Sequence, residues 1–316
     1  MAAKMSVSLI CTVLNEEDSV RDLVESMLNQ SHMPDEIVIV DGGSTDKTAE
    51  IIGEYARKSG IIKLIVEKGA NISKGRNIAI RNANGPVIAA TDGGCILDRD
   101  WLKFLMEEVS KGAAAVAGRY EPKYRNFFEQ CQGELLCSQS IIPSNFEGCW
   151  FPSSRSEAFL KKVWEDAGGY PEHLYTAEDA LFHHRIADLG YKYVLAERAM
   201  VKWSMRPTWK KLYKQFFNYG KGEAQAKLLL KLPRSMFVIF GFYAFLLAVA
   251  FSALTANIVL LSAIAGLFLV YGFFMGIRVA MKVKNFKGVF YGFGIELTRR
   301  AGFFAGYHKG FFMYRI

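Results

Sequence analysis

Short apolar runs and amphipathic runs alternate along the first third of the chain. Val7–Val13 is an apolar run of strand length. Asp18–Gln30 then places Val20, Leu23, Val24, Met27 and Leu28 at helical spacing. Glu36–Val40 is a second apolar run, ending at Asp41. The pattern goes on to predict a helix over 46–59, a strand over Ile61–Val66 and a helix over Ser73–Asn84. A strand over Pro86–Ala90, ending at Thr91-Asp92, and a helix after Asp98 complete the series. Fully apolar strands alternating with helices predict an α/β fold, a mostly parallel central sheet flanked by helices, Rossmann-like in its layering.

Beyond position 201 the pattern changes. Between Arg234 and Arg278, 43 consecutive positions carry no charge and nearly all are apolar. One bilayer crossing takes about 20 residues, so this run predicts two helices, near 235–253 and 257–278. The least apolar stretch, Ser252–Asn257, is the natural turn. A helix pair in a soluble core would keep a polar stripe, which this run lacks. Lys227, Lys231 and Arg234 on one flank, and Arg278, Lys282, Lys284 and Lys287 on the other, put both ends of the hairpin in the cytoplasm. The start of the chain shows no basic-then-apolar signal pattern. The expectation is a multi-pass cell-membrane protein with two crossings, its large N-terminal domain and its C-terminus cytoplasmic. Phe286–Ile316 mixes ten aromatic residues with Arg299, Arg300, His308 and Lys309. That mixture predicts helices lying in the membrane interface rather than a third crossing.

Composition sharpens this division. The 316 residues are 51% hydrophobic and 22% charged with only 8 prolines, which excludes disordered and fibrous classes. The net charge of +8 hides an asymmetry. Residues 1–201 hold 22 basic and 29 acidic side chains, whereas residues 202–316 hold 17 and 2. The expected domains are therefore 1–201, globular; 202–234, a basic amphipathic segment on the membrane surface; 235–278, the transmembrane hairpin; and 279–316, interfacial aromatic and basic helices. Positive charge that flanks lipid-spanning helices points to membrane lipids and not to nucleic acid. The five cysteines, Cys11, Cys95, Cys131, Cys137 and Cys149, form no CxxC pair and read as buried reduced thiols.

In a parallel sheet, ligands gather at the carboxyl ends of the strands. Those ends read Thr12-Val-Leu-Asn-Glu16, Asp41-Gly-Gly-Ser-Thr-Asp46 and Asp92-Gly-Gly94. Aspartates there can accept from a base N–H or a ribose hydroxyl, and glycines admit a ligand close to the backbone. A second aspartate beside a diphosphate calls for a bridging divalent cation, and Asp92 is the candidate. Each segment taken alone is also an ordinary turn, with Ser44 or Thr45 able to cap the next helix.

The segments CTVLNEE, IVIVDGGSTDKT, SKGRNIAIRNANGPVIAATDGGC, PSSRSEAFLKKVWEDAGGYPE and TAEDALFHHRIADLGYK occur in this order. Together they resemble the inverting family 2 glycosyltransferases of the A-type fold, over about residues 6–225. The resemblance implies that Glu16 and Asp41 contact the nucleotide's base and ribose, within a nucleotide site that includes Thr12, Leu14, Asn15, Gly43 and Gly93. It gives Asp92 the metal position of the family's DxD signature, with Mg2+ or Mn2+ as cofactor. Gly94 stands where the second carboxylate would be, and Lys74 and Arg76 could supply positive charge near the diphosphate. Glu178-Asp179 resembles the family's ED motif, with Asp179 as catalytic base. The same Thr176-Ala-Glu-Asp179 also reads as a capping box for a helix reaching Leu189. One carboxylate in hydrogen-bond reach of an acceptor hydroxyl suffices for an inverting displacement. His183, one turn after Asp179, could pair with it. Arg155 and Ser156 resemble the floor of the donor-sugar pocket, and Arg206 and Trp209 complete the donor-sugar and acceptor candidates.

Gln215–Tyr219 reads QFFNY where processive relatives carry QxxRW, and one hairpin cannot build a polymer tunnel. The expectation is transfer of a single sugar. The first-choice donor is a UDP-sugar, with GDP- and dTDP-sugars as alternatives, and the acceptor is a polyprenyl-phosphate-linked glycan or a glycolipid. A membrane-anchored nucleotidyltransferase is a second enzyme reading, opposed by the acidic Leu14–Asp18 loop. A non-catalytic nucleotide-binding scaffold is the third.

Overall fold

The computed structural model describes residues 5–137, 152–228 and 233–313; Cys149 and Lys231 lie outside them. The chain divides into two compact units. One comprises the described residues up to Pro122 and from 152 to Ser204, the other Lys123 to 137 and Met205 onward.

In chain order the first unit contains β1 (Val7–Val13), α1 (Val20–Leu28), β2 (Glu36–Asp41), α2 (Thr48–Lys58), β3 (Ile62–Val66), α3 (Ile72–Arg81), β4 (Val87–Asp92), β5 (Cys95–Leu97), α4 (Trp101–Ser110) and β6 (Ala115–Lys123). After α5 (Phe127–Leu136), which belongs to the second unit, come β7 (Glu157–Leu160), α6 (Lys161–Asp166), α7 (Glu178–Asp188) and β8 (Tyr193–Ser204). The strands form one sheet in the order β3-β2-β1-β4-β7-β6-β8-β5. The first four pair in parallel, as their apolar runs predict. From β7 onward the sheet changes character: β7 is antiparallel to β4 and β6, and β5 is antiparallel to β8. The core packs Ile10, Val38, Val40, Ile88, Ala90 and Phe159 from the strands against Ala79, Ile80, Phe182 and Ile186 from the helices.

Register sets up the ligand edge. Val13 lies beside Asp41 and Thr12 beside Asp92, so the carboxyl ends of β1, β2 and β4 finish level. At the opposite edge Glu36 accepts from the Ser8 hydroxyl at 2.6 Å and from the Asn84 side chain at 2.9 Å. That carboxylate ties β1, β2 and the turn before β4 into one register.

Two helix starts differ from the sequence reading. α3 begins one residue earlier than predicted because Asn71 caps it, accepting from the Lys74 N–H at 2.9 Å. The capping box before α7 does not form. Ala177 occupies the N-cap with a left-handed φ of 63°, so Thr176 is one position too early to cap.

The second unit contains α5 and then α8 (Trp209–Gln225), α9 (Pro233–Leu254), α10 (Ile258–Val283) and α11 (Gly288–Met313). Thr208 caps α8 and Asn257 caps α10, each accepting from the N–H three residues on. The predicted turn forms, with the Ser252 hydroxyl donating to the Asn257 carbonyl at 2.6 Å. Ser235–Leu254 and Ile258–Val283 are long and apolar enough to cross a membrane, with a mean hydropathy of 2.4 each, and little of either is buried. The C-terminal stretch forms one continuous 26-residue helix, α11.

Glycines let α11 lie against two partners. Gly302, Gly306 and Gly310 meet the backbone of α8 at Tyr213, Phe217 and Lys221, and a Cβ at Gly306 would fall within 1.8 Å of the Phe217 carbonyl. On another face Gly292 packs against Gly276 and Val279 of α10. Such close backbone approach is how helices associate where burial of apolar surface gives little drive.

Candidate active site

The β1, β2 and β4 ends converge, but their carboxylates are used in different ways. Asp41 is fully buried. Its Oδ1 accepts from the Gly43 and Ser44 N–H groups at 2.9 and 2.8 Å, and its Oδ2 from the Ser44 hydroxyl at 2.5 Å. Asp41 therefore organises the turn after β2, and Ser44 serves that turn and not the α2 cap. Gly43 has φ 93°, and a Cβ there would lie 2.9 Å from Lys68 Cα, so the turn needs glycine twice over. Asn15, itself left-handed at φ 54°, bridges the neighbouring loop. Its Oδ1 accepts from the Thr45 N–H at 2.9 Å, and its own N–H donates to the Ser44 hydroxyl at 2.8 Å. Leu14 is exposed beside it.

Glu16 faces the β4 end. Its N–H donates to the Thr48 hydroxyl at 2.8 Å, and its carboxylate lies against Gly93. A Cβ on Gly93 would lie 3.3 Å from Glu16 Oε1, and one on Gly94 would lie 3.7 Å from Oε2. Glu16 thus fills the sector where the side chain missing at Gly94 would stand. Thr12 contributes backbone, its carbonyl accepting from the Gly93 N–H at 3.2 Å.

Asp92 is joined to the ED segment by one side chain. Arg76, 1% exposed on the core face of α3, donates through Nη2 to Asp92 Oδ1 at 2.5 Å and through Nη1 to Glu178 Oε1 at 2.8 Å. Its guanidinium lies 5.1 Å from the centre of the Tyr170 ring. Burial opposes the charge, but Asp92 and Glu178 overcome that and hold Arg76 well above its ordinary pKa. Burial, then the neighbouring Asp179, pushes Glu178 up to about 7. Arg76, read from the sequence as positive charge near the diphosphate, is the internal tie between the strand end and α7. Its phase was legible, because Arg76 falls four residues before Ile80 on the buried face. Lys74, on the outer face, pairs with Glu67 at 2.6 Å.

Asp179, partly exposed, follows Glu178 at the start of α7. Its Oδ1 accepts from the Ala180 N–H at 2.8 Å, and Oδ2 has no partner among the described residues. His183 does not pair with it. His183 Nε2 lies 3.0 Å from Glu157 Oε2, and both residues are fully buried. Glu157 also accepts from Tyr170 at 2.9 Å and Tyr193 at 3.4 Å. Burial pushes the Glu157 carboxyl up, but His183 and the surrounding donors hold it below the usual range. Sequence reasoning missed this buried cluster; its one signal was a glutamate opening the apolar strand Ala158-Phe-Leu160.

Arg155 spreads over the Trp203 and Tyr120 rings, 4.1 and 5.3 Å from their centres. Ser156 is buried and accepts from the Trp101 indole at 2.8 Å, an interior role. Arg206 and Trp209 belong to the second unit. There the Arg206 N–H donates to Gln132 at 2.8 Å, and Trp209 stacks on Tyr291 and packs at a tilt against Phe128. Cys11, Cys95 and Cys131 are buried free thiols, and Cys137 is buried as well.

Among the described residues no group of three or more metal-type side chains forms. A divalent ion at a diphosphate asks for less, because phosphate oxygens and waters fill most of its coordination. Asp92 Oδ2, with no partner among the described residues, and the Glu16 carboxylate against Gly93 are hard oxygen donors that fit this need.

A parallel sheet carrying carboxylates at one edge and closed by antiparallel strands is the layering of the A-type glycosyltransferase fold. Residues 8–158 form a domain that matches the description Glycosyl transferase family 2. The glycosyltransferase AglE of Haloferax volcanii is 28% identical over 71% of this chain and 74% of its own. The O-antigen chain rhamnosyltransferase RfbN of Salmonella typhimurium is 25% identical over 68% of this chain and 72% of its own. Among solved structures, the mannosyltransferase PcManGT of Pyrobaculum calidifontis, in complex with GDP-Man and Mn2+, has a similar fold. Its TM-score is 0.70 over 98% of this chain and 88% of its own, at 17% identity.

Proposed function

We propose that the chain moves one sugar from a nucleoside-diphosphate sugar to a lipid-linked acceptor, with inversion, at the cytoplasmic face of a membrane. The observation that carries this is the Arg76 tie between Asp92 and Glu178, because it joins the donor edge to the segment bearing Asp179. Asp179 keeps Oδ2 available to an acceptor hydroxyl and takes its proton as the oxygen attacks the anomeric carbon. The bond from that carbon to the diphosphate breaks, and its electron pair leaves with the nucleoside diphosphate. Glu178 stays bound to Arg76 and fixes the start of α7. A Mg2+ or Mn2+ ion, when bound, would offset the diphosphate charge; Asp92 and Glu16 are the residues that would hold it.

The Asn15–Ser44 loop contact and Asp41 shape the wall for base and ribose, and UDP-, GDP- or dTDP-sugars share the diphosphate this edge accepts. Arg155, held over two rings, supports the donor-sugar side. Residues 1–201 would carry the chemistry and 235–278 the membrane hairpin. The basic 202–234 segment and 279–316 would lie at the cytoplasmic interface. The exposed apolar surface of α9 and α10 supports that placement.

The test is Asp179→Asn in membranes supplied with candidate donors and a polyprenyl-phosphate-linked acceptor. Transfer is expected to fall about 10²–10⁴-fold with donor binding retained. Turnover equal to wild type rejects the assignment.

A further inference from the structure

The second unit contains a charge cluster that the transferase reading leaves unused. Glu296 of α11 is 2% exposed. It accepts from Arg299 Nε at 2.9 Å, from Arg300 Nε at 2.5 Å and from the Tyr271 hydroxyl of α10 at 2.7 Å. Arg300 also donates to that hydroxyl and lies over the Tyr271 ring, 4.9 Å from its centre. One carboxylate thus faces two guanidiniums, and the cluster carries a net +1. Nη1 of both arginines has no partner among the described residues, and their side chains are 24% and 34% exposed.

Position makes the imbalance costly. Tyr271 lies seven residues along α10 from Arg278, the first of the cations that mark the headgroup level, which is about 10 Å of helix. On the reading of α9 and α10 as membrane spans, on which this inference rests, the cluster sits at the edge of the hydrocarbon. Ionisable groups at that depth are expensive and call for a counter-charge. The α10–α11 contact is also close, because Gly272 and Gly276 receive Phe293 and Val289.

We propose that Arg299 and Arg300 form a binding site for the phosphate of a membrane lipid. A phosphate ester supplies the missing negative charge and acceptors for the unused guanidinium donors. Free phosphate also carries negative charge. A lipid also brings chains onto the apolar surface α10 leaves open, where Leu267 is 72%, Val270 67% and Phe274 56% exposed. That surface selects the lipid.

The full chain in dodecyl maltoside micelles is titrated with phosphatidylglycerol, and retained lipid is counted by native mass spectrometry. Phosphatidylcholine is the control and inorganic phosphate the competitor. Wild type is expected to retain phosphatidylglycerol over phosphatidylcholine, and the R299Q/R300Q double variant to bind it about tenfold more weakly. Glu296→Gln separates binding from mere stabilisation. Removing the competing carboxylate is expected to tighten phosphatidylglycerol binding by roughly threefold. A purely structural cluster would show loosened binding or none.

Three results overturn the proposal: equal retention by wild type and the double variant, weaker retention by Glu296→Gln, or displacement by inorganic phosphate at the lipid's own concentration. If the double variant does not fold, Arg300→Gln alone and Glu296→Gln decide by their opposite signs. Carbonate extraction of membranes tests the spanning reading separately. A chain released by the wash removes that premise whatever the lipid count.

Discussion

Arg76 and Glu296 are mirror images in charge. In the first unit one guanidinium sits between two carboxylates, Asp92 and Glu178. In the second one carboxylate sits between two guanidiniums, Arg299 and Arg300. Both central residues are almost fully buried. The partners differ: Glu178 is buried and Asp92 only 15% exposed, whereas Arg299 and Arg300 reach the surface. A buried centre with a buried partner has no solvent to fall back on, so removing the centre strands a charge. A buried centre with exposed partners can lose one of them and keep the other. The first arrangement fixes geometry, and the second leaves charge on offer.

The comparison breaks or holds first on stability. Arg76→Leu leaves Asp92 and Glu178 facing one another without a cation and is expected to cost about 3–5 kcal/mol. Arg300→Leu leaves Glu296 paired with Arg299 and is expected to cost about 1 kcal/mol or less. Thermal midpoints in detergent measure both. Equal shifts would mean that burial of the partners does not set the difference. The Arg76 variant should also lose transfer, since the tie between strand end and α7 is gone.

These two clusters also mark where the sequence was legible. The parallel half of the sheet follows from its apolar runs, and level strand ends follow from parallel register, so Thr12, Asp41 and Asp92 could be found without coordinates. The antiparallel half could not, because β5 and β7 are three and four residues long and β8 mixes exposed and buried positions without clean alternation. Which carboxylate serves which partner was equally hidden. Asp41 and Asp92 look alike in sequence, yet one is consumed by backbone N–H groups of its own turn and the other by a guanidinium from α3. Glu157 lay in the unread half, and its pairing with His183 depends on β7 and α7 meeting across the core. The apolar helix pair was the easiest element to find, since absence of charge over 43 positions needs no partner to interpret.

Protonation tests the first cluster more finely. Burial and Asp179 hold Glu178 at about 7, against an ordinary 4.5. Between those two values the native state keeps a proton that the unfolded chain has released, so stability falls as pH rises through the window. Below about pH 4.5 both states are protonated, and above about pH 7 both are ionised, so the slope vanishes at either end. The change across the window is expected to be about 3 kcal/mol at most. Glu178→Gln should flatten it, read as the difference in thermal midpoint between wild type and variant from pH 4.5 to 7.5. A slope that survives the substitution would assign it to another group.

The smallest effect belongs to the second cluster. Tyr271 supplies the only hydroxyl in it among the described residues, donating to Glu296 and accepting from Arg300. Tyr271→Phe keeps the ring under the Arg300 guanidinium and removes only the hydroxyl. Glu296 retains both arginines, so the loss should be that of one hydrogen bond, about 0.5 kcal/mol. Arg300, released from the hydroxyl, gains a free donor, so phosphatidylglycerol retention should hold or rise while the thermal midpoint drops. Both falling together would mean that the hydroxyl positions Arg300 for the phosphate, and the exposed partners of Glu296 would then be as constrained as the buried partners of Arg76.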